Sequence, residues 1–311
     1  MPIAGGPVRC WSRIEAACYR PRAAGYQLPP AMNTTVVIAT RDRRDALLRT
    51  LGHLERLPEN PPIVVVDNRS SDGTPHAVRR RHPAVCLIEP GRNLGGGART
   101  LGARRARTPY LAFCDDDSWW AAGSLGRAAE LLERNPRVAL VAGRIIVEPE
   151  GRMDPTCRLM ERSPLPPDPG LPGPEVLGFV ACGAVVRRSA FLASGGFEPR
   201  FQVGGEETLL SIDLAVAGWR LVYADDVVAH HQPARSGRGP RSRRELRNAL
   251  WTAWLRRPLR RALTRSAGVL AGGGRDAPAA LGAALRELPW VVRERRVVPP
   301  AVERGLQAIE R

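Results

Sequence analysis

The stretch YLAFCDDDSWW, Tyr110 to Trp120, constrains the fold more tightly than any other. An apolar run of strand length stops at three consecutive carboxylates, Asp115, Asp116 and Asp117, and two tryptophans follow. In open α/β sheets, ligands gather beyond the carboxyl ends of the strands. Adjacent like charges repel unless water or a cation screens them. Hard divalent cations take carboxylate oxygens, and magnesium is commonly held by one or two carboxylates plus substrate phosphates. The same three residues would also suit a solvated turn that caps the next helix, so their surroundings decide between the two readings.

Those surroundings alternate strands with helices from Thr34 onward, the sign of a mainly parallel sheet covered on both faces. TTVVIAT (34–40) reads as a buried strand, and Arg41–Leu57 has helical spacing through Leu47, Leu48, Leu51 and Leu54. PIVVVDN (62–68) is a second strand that ends at Asp67, followed by an SSDGT turn and a short helix; VCLIEP (85–90) is a third. A glycine run, GRNLGGGAR, then leads into a helix. Glycines at such a junction either let backbone N–H groups approach a phosphate or allow a tight turn with close packing. The run is neither G-x-G-x-x-G nor a P-loop, so both uses stay open. Arg99, one turn into the helix, suits either a diphosphate or solvent.

Past the acidic stretch, a helix (Ser124–Asn135) and a strand (Val138–Val147) precede a proline-rich segment, Glu148 to Glu175, expected to hold no regular structure. A strand, a short helix and a Gly-Gly turn follow. The next helix opens with Glu206 and Glu207, where acids are favoured by the helix dipole. His230 and His231 end the strand after it.

Charge is unevenly spread. Lys+Arg 47 against Asp+Glu 31 gives +16, and every basic residue is arginine. From Arg235 to Arg311 there are 18 Arg and 6 acids, so +12 of the excess lies in the last quarter, a patch that attracts phosphates. Within it, Arg241 to Leu263 places Leu246, Ala249, Leu250, Ala253 and Trp254 on one helical face among arginines, with Pro258 expected to end or kink the helix. That is the pattern of an interfacial helix on an anionic membrane, and equally of a helix packed on its own protein; the reading leans to the membrane. Ala277 to Arg311 suggests one or two short helices. The cysteines (6) form no Cys-x-x-Cys pair and read as free thiols in a reducing cytosol. No run is long and apolar enough to span a bilayer. Residues 1–31 lack a signal-peptide core and are expected to be a disordered leader, with Met32 as the natural start.

Taken in order, VVIATRDRR, VVDNRSSDGT, NLGGGAR, FCDDDSWW, ACGAVVRRSAFLASGGF, GGEE and AGWRLVY…HH resemble the family-2 type of nucleotide-sugar glycosyltransferase, over roughly Thr34 to His231. The look is most similar to bacterial rhamnosyltransferase-like enzymes of cell-envelope glycans. The resemblance implies the GT-A fold, an α/β, Rossmann-like, mixed but mainly parallel sheet with helices on both faces, here with a C-terminal helical extension. The chain then divides into a leader (1–31), a catalytic domain (32–234) and a basic extension (235–311).

The resemblance also implies roles. Thr40, Arg41 and Asp67 would line the nucleotide pocket, Asp67 accepting the N3–H of uracil or thymine, with Asn93 and Arg99 beside the base and diphosphate. Asp115 and Asp117 match the outer positions of the Asp-x-Asp motif, on the ribose and on a divalent metal (Mg²⁺ or Mn²⁺), with Asp116 also in the donor site. Glu207, or its neighbour Glu206, falls at the catalytic base, and His230 matches a histidine that completes the metal site in some members. Glu207 stands where Asp is usual, Arg41 where an aromatic or Asn is common, and Thr100 where Asn is common.

The implied activity is an inverting, metal-dependent transfer of one sugar from a UDP- or dTDP-sugar to a cell-envelope glycan or lipid-linked acceptor. It would take place in the cytoplasm or on the inner face of the plasma membrane. No Gln-x-x-Arg-Trp sequence and no membrane span occur, which favours single-sugar transfer over processive synthesis. The sugar and acceptor would depend on pocket shape around Trp119, Trp120 and the 149–175 loop. Two other readings compete. A sugar-phosphate nucleotidyltransferase wants a glycine-rich loop directly after the first strand, and VVIATRDRR has none. A nucleic-acid-binding protein would use the basic tail, but no binding motif occurs and aromatic content is only 5%, so no specific nucleic acid partner is expected.

Overall fold

A computed structural model describes residues 33–233 and 243–310. The leader and the start expected at Met32 lie outside the described residues, as do Arg241 and Ser242 of the basic stretch. The strands are β1 (Thr34–Thr40), β2 (Ile63–Asp67), β3 (Cys86–Ile88), β4 (Tyr110–Cys114), β5 (Ser118–Trp120), β6 (Val138–Val147), β7 (Arg152–Met153), β8 (Ala184–Arg187) and β9 (Arg220–His231). They form one sheet in the order β3-β2-β1-β4-β8-β6-β9-β5, with β7 paired to β6. The first four are parallel, and β8 turns the sheet mixed by running antiparallel to β4 and β6. Register sets the site. Thr40 lies opposite Asp67 and Ile38 opposite Cys114, so the first two strands end beside the point where Asp115 leaves the sheet.

Alternation along the strands feeds two cores. On one face, Val36, Ile38 and Val65 pack against Leu47, Leu51 and Leu54 of α1 (Arg44–Leu54). The short α2 (Thr74–Arg81) follows β2, and α3 (Ala98–Arg105) follows the glycine run. Leu125 and Leu132 of α4 (Ser124–Arg134) complete the first core. On the other face, Val37, Leu111 and Phe113 meet residues from three later helices: α5 (Pro155–Glu161), α6 (Arg188–Ala193) and α7 (Glu206–Val216). Phe113, Phe191 and Phe197 meet there with ring centroids 5.2–5.3 Å apart.

The proline-rich segment is more regular than expected, because it contains β7 and α5. Asp154 caps α5 by accepting the Thr156 N–H at 2.8 Å, and Pro155 fills a first-turn position where a missing N–H costs nothing. Beyond α5 the chain is tied down by Glu175, which takes two hydrogen bonds from Arg220 at 2.7 and 2.8 Å.

The C-terminal region folds as α8 (Arg243–Arg256), α9 (Leu259–Ala271), α10 (Ala277–Arg286), α11 (Leu288–Glu294) and α12 (Pro300–Ile309). Pro258 separates α8 from α9, as expected. The residues after Ala277 form three helices rather than one or two; Pro289 and Pro300 sit in the first turns of α11 and α12, restarting the helix each time. The stripe expected on α8 is largely covered: Leu246, Leu250 and Ala253 are buried, and Ala249 and Trp254 are partly buried. Leu246, Leu250, Trp251 and Leu255 pack with Phe201, Leu209, Ala280, Ala284, Trp290 and Val291, which corrects the membrane reading for this face. The tail supplies its own partner helices, and they cover the stripe.

The tail also grips α7. Arg256 donates to Asp213 at 2.9 Å, and Leu306 and Val298 pack on Ile212. Arg257, itself buried, is held by Glu303 at 2.7 and 2.8 Å and by Glu310 at 2.6 Å. Replacing Arg257 by Ala would leave Glu303 buried without its cation. We expect a loss of about 3–5 kcal/mol of stability, read from denaturant unfolding of the full chain.

Candidate active site

The three carboxylates emerge from β4 in three directions, each toward different partners. Asp115 takes a hydrogen bond from the Arg99 guanidinium, and its own N–H donates to Ser118 Oγ at 2.8 Å. Asp116 turns inward to Thr40 Oγ1 at 2.9 Å and Arg43 Nε at 2.7 Å, and its carbonyl accepts from Thr50 at 2.9 Å. Burial pushes its carboxyl up to about 6, against the pull of Arg43 and Thr40. Asp117 accepts from Arg43 Nη2 at 2.6 Å and lies 3.3 Å from His231 Nε2.

One ligand atom from each of Asp115, Asp117 and His231 falls within a 4.8 Å cluster, the one such group of three among the described residues. The structure brings His231 to this cluster where His230 was expected. Along β9, successive side chains face opposite ways, so His231 joins the aspartates while His230 points to Glu148, with Nδ1 at 2.8 Å. Burial works to lower the His231 pKa, but the hydrogen bond and charge of Asp117 outweigh it and raise it.

His230 stacks with Trp119 at 5.4 Å between centroids, and His53 does so at 4.2 Å, both nearly parallel to the indole. Trp120 is buried in the core.

Across the site, Arg99 is buried between Asp115 and the pair Glu206 and Glu207. Burial opposes its charge, yet Asp115 and then the two glutamates keep its pKa raised. Burial lifts the pKa of Glu206, and burial followed by the charge of Glu206 lifts that of Glu207. Glu206 is only 2% exposed, with Oε2 left without a partner among the described residues, whereas Glu207 is half-buried.

The glycine run is what admits this pair. A Cβ at Gly95 would collide with the Gln202 backbone, one at Gly96 with the Glu206 carboxylate, and one at Gly97 would sit 2.7 Å from Pro199 Cα. The glycines therefore face the loop that leads into α7 and let it approach. Asn68 pins the run, accepting from Leu94 N at 2.9 Å and donating to the Gly95 carbonyl at 3.2 Å, and Asn93 Oδ1 closes the turn on Gly95 N at 2.8 Å.

The remaining expected residues are split. Asp67 is buried, with Oδ2 taking Ser70 N at 2.8 Å and Oδ1 lacking a partner among the described residues. Thr40 is committed to Asp116. Arg41 is exposed and pairs with Asp42 at 3.3 Å, away from the three aspartates. Sequence reasoning missed Arg43, which bridges Asp116 and Asp117; only its place in the R-D-R-R run after β1 hinted at it.

Residues 35–194 match the profile of Glycosyl transferase family 2. The chain belongs to that family. It is also 31% identical over 242 residues to an N-acetylglucosaminyl-diphospho-decaprenol L-rhamnosyltransferase of Mycobacterium tuberculosis, a match covering 67% of this chain and 78% of the relative. Among solved structures, it is similar to the mannosyltransferase PcManGT of Pyrobaculum calidifontis in complex with GDP-Man and Mn²⁺ (TM-score 0.56, 22% identity, 89% of this chain and 86% of that one). It is likewise similar to residues 1–349 of S. aureus TarS in complex with UDP-GlcNAc (TM-score 0.59, 16% identity, 89% and 82% covered). The family 2 protein thus has a GT-A fold and is a glycosyltransferase, which removes the nucleotidyltransferase and nucleic-acid readings.

Gly96 gives a direct test of how this glycosyltransferase seats its acid pair. Gly96→Ala should cut kcat by about tenfold or more, since a Cβ there would push on the buried Glu206 and shift the helix start that carries Glu207. Gly126→Ala, where nothing lies within 4 Å, should leave the rate unchanged in the same assay.

Proposed function

We propose that this enzyme transfers one sugar from a UDP- or dTDP-sugar to a hydroxyl of a lipid-linked acceptor for cell-envelope glycan, with inversion at the anomeric carbon. The observation that carries the reading is the buried Arg99 between Asp115 and the Glu206–Glu207 pair. It joins a diphosphate-facing group to a candidate base across one site. The mycobacterial relative, named for rhamnosyl transfer to a decaprenyl-diphosphate acceptor, supports the acceptor class and a deoxysugar donor.

In this reading the partnerless Asp67 Oδ1 accepts the N3–H of the base, since a buried acceptor is costly unless a donor completes it. The two carboxylates suit Mg²⁺ or Mn²⁺, so Asp115 and Asp117 would hold the metal, with His231 beside them as a third ligand that favours Mn²⁺ over Mg²⁺. Such an ion neutralises charge on the departing diphosphate. Arg99 adds fixed positive charge beside it. Glu206 is sealed against Gly96, whereas Glu207, though largely desolvated, keeps part of its surface exposed, which favours Glu207 as the base that takes the acceptor's proton. Its elevated pKa fits that task, because a base titrating nearer neutrality has greater drive to take a proton. Attack and departure on opposite faces in one step invert the centre. In this reading residues 32–234 are the catalytic unit and 235–311 a basic extension, and a nucleotide donor meeting a lipid acceptor would put the work on the inner face of the plasma membrane. No helix among the described residues is long and apolar enough to cross a membrane.

Calorimetry with UDP, dTDP, GDP and ADP, with and without manganese, tests the donor site. Manganese-dependent binding of UDP or dTDP, lost in Asp117→Ala, is expected; binding of none by folded protein would overturn the reading. The base has its own signature. Glu207 acts only when ionised and its pKa is raised, so kcat should climb with pH above the ordinary carboxylate range and then level off. Glu207→Gln should lose that rise together with about 10²–10⁴-fold in kcat, and Glu206→Gln, which removes a charge that lifts the Glu207 pKa, should keep the rise but move it to lower pH.

A further inference from the structure

Burial of the α8 stripe leaves a different apolar surface on the C-terminal helices. Leu259 and Leu263 lie one turn apart on α9, Leu285 is near the end of α10, and Leu288 and Val292 lie one turn apart on α11. All five are between 41% and 69% exposed. The three helices pack against α8, turning Val269, Ala280, Ala284, Trp290 and Val291 toward it, so the exposed leucines are what their inward stripes leave outside. Trp254 links the two ends of this surface. Its Nε1 donates to Ser266, one turn after Leu263, and its carbonyl accepts from Arg295, just past Val292.

Cations accompany the apolar side chains. Arg260, Arg286 and Arg293 are exposed beside Leu259, Leu285 and Val292, and Arg260 and Arg286 make no ion pair among the described residues. Exposed apolar residues flanked by arginine match the headgroup boundary of an anionic bilayer, where apolar burial and charge attraction act together. The surface is also joined to the catalytic loop. Arg200, in the turn that leads to Glu206, lies 4.9 Å over the Trp290 ring and 3.9 Å from Glu287, next to Leu288. Asn248 of α8 holds the carbonyls of Phe201 and Gly204 in the same loop, at 2.8 and 2.6 Å.

We propose that the outer face of α9, α10 and α11, rather than α8, seats the enzyme on an anionic phospholipid surface and so presents the catalytic loop to an acceptor anchored there. This rests on the lipid-linked acceptor proposed above. The surface itself is tested apart from it, by co-sedimentation of the full chain with vesicles of phosphatidylcholine alone or of equal parts phosphatidylcholine and phosphatidylglycerol.

Wild type should bind the anionic vesicles and scarcely the neutral ones. Leu263→Glu with Val292→Glu should lower that binding by about tenfold or more, with circular dichroism and melting unchanged because both sites are exposed. Arg260→Glu with Arg286→Glu should erase the preference for anionic vesicles. The Leu263→Glu/Val292→Glu variant should keep transfer to a short-chain, water-soluble acceptor and lose transfer to the long-chain acceptor in vesicles. Absence of vesicle binding by wild type, or binding unchanged in the apolar variant, overturns the proposal. So does a wild-type dimer by light scattering that this variant makes monomeric while wild type ignores vesicles, since the face would then join two copies. No transfer to either acceptor, with vesicle binding and its loss as expected, sinks the acceptor reading and upholds the membrane face.

Discussion

Three carboxylates in a row at the end of a buried strand repel one another, and the site is built from the ways this repulsion is relieved. Asp115 leans on Arg99 from α3, Asp116 on Thr40 and Arg43 from the end of β1, and Asp117 on Arg43 and His231 from β9. Each carboxylate thereby fixes the position of a different element. Like charges held close in a medium poorer than water in screening power cost several kcal/mol unless each has its own partner. Asp116, the most enclosed of the three, shows the residue of that cost in its raised pKa.

The second organising contact is steric rather than electrostatic. The glycines between Leu94 and Ala98 remove three side chains where the 199–206 loop must pass, and they bring Glu206 and Glu207 within reach of Arg99. The C-terminal helices hold the same acid-bearing helix from behind, through Arg256 on Asp213 and the packing of Leu306 on Ile212. What looks in sequence like an appended basic tail is part of the support for the helix that carries Glu206 and Glu207.

Much of this was legible before any coordinates. VVIAT and IVVVD are continuous apolar runs that only a strand buried on both faces explains, and the Asp triplet and the Glu pair stood out by charge and position. The choice between His230 and His231 was not legible. It depends on which face of β9 meets β5, a pairing that joins residues more than a hundred positions apart. Arg43 hid among three neighbouring arginines, and only packing singles it out. An amphipathic stripe such as that of α8 is the same pattern whether lipid or protein covers it, so the partner helices had to be seen. The Asp154-Pro155 start of α5 was readable as a cap and a first-turn proline, but the surrounding prolines masked it.

The stacked rings of His53, Trp119 and His230 give the site an optical property of its own. An indole stacked with two imidazoles emits according to their protonation, because a protonated imidazole quenches the excited ring more strongly than a neutral one. Trp119 sits two residues from Asp117 and opposite His230 in the β5–β9 pair, so its emission senses the geometry of the aspartate cluster. The chain has 7 tryptophans, so the share that belongs to Trp119 is the difference between the wild-type emission and that of Trp119→Phe.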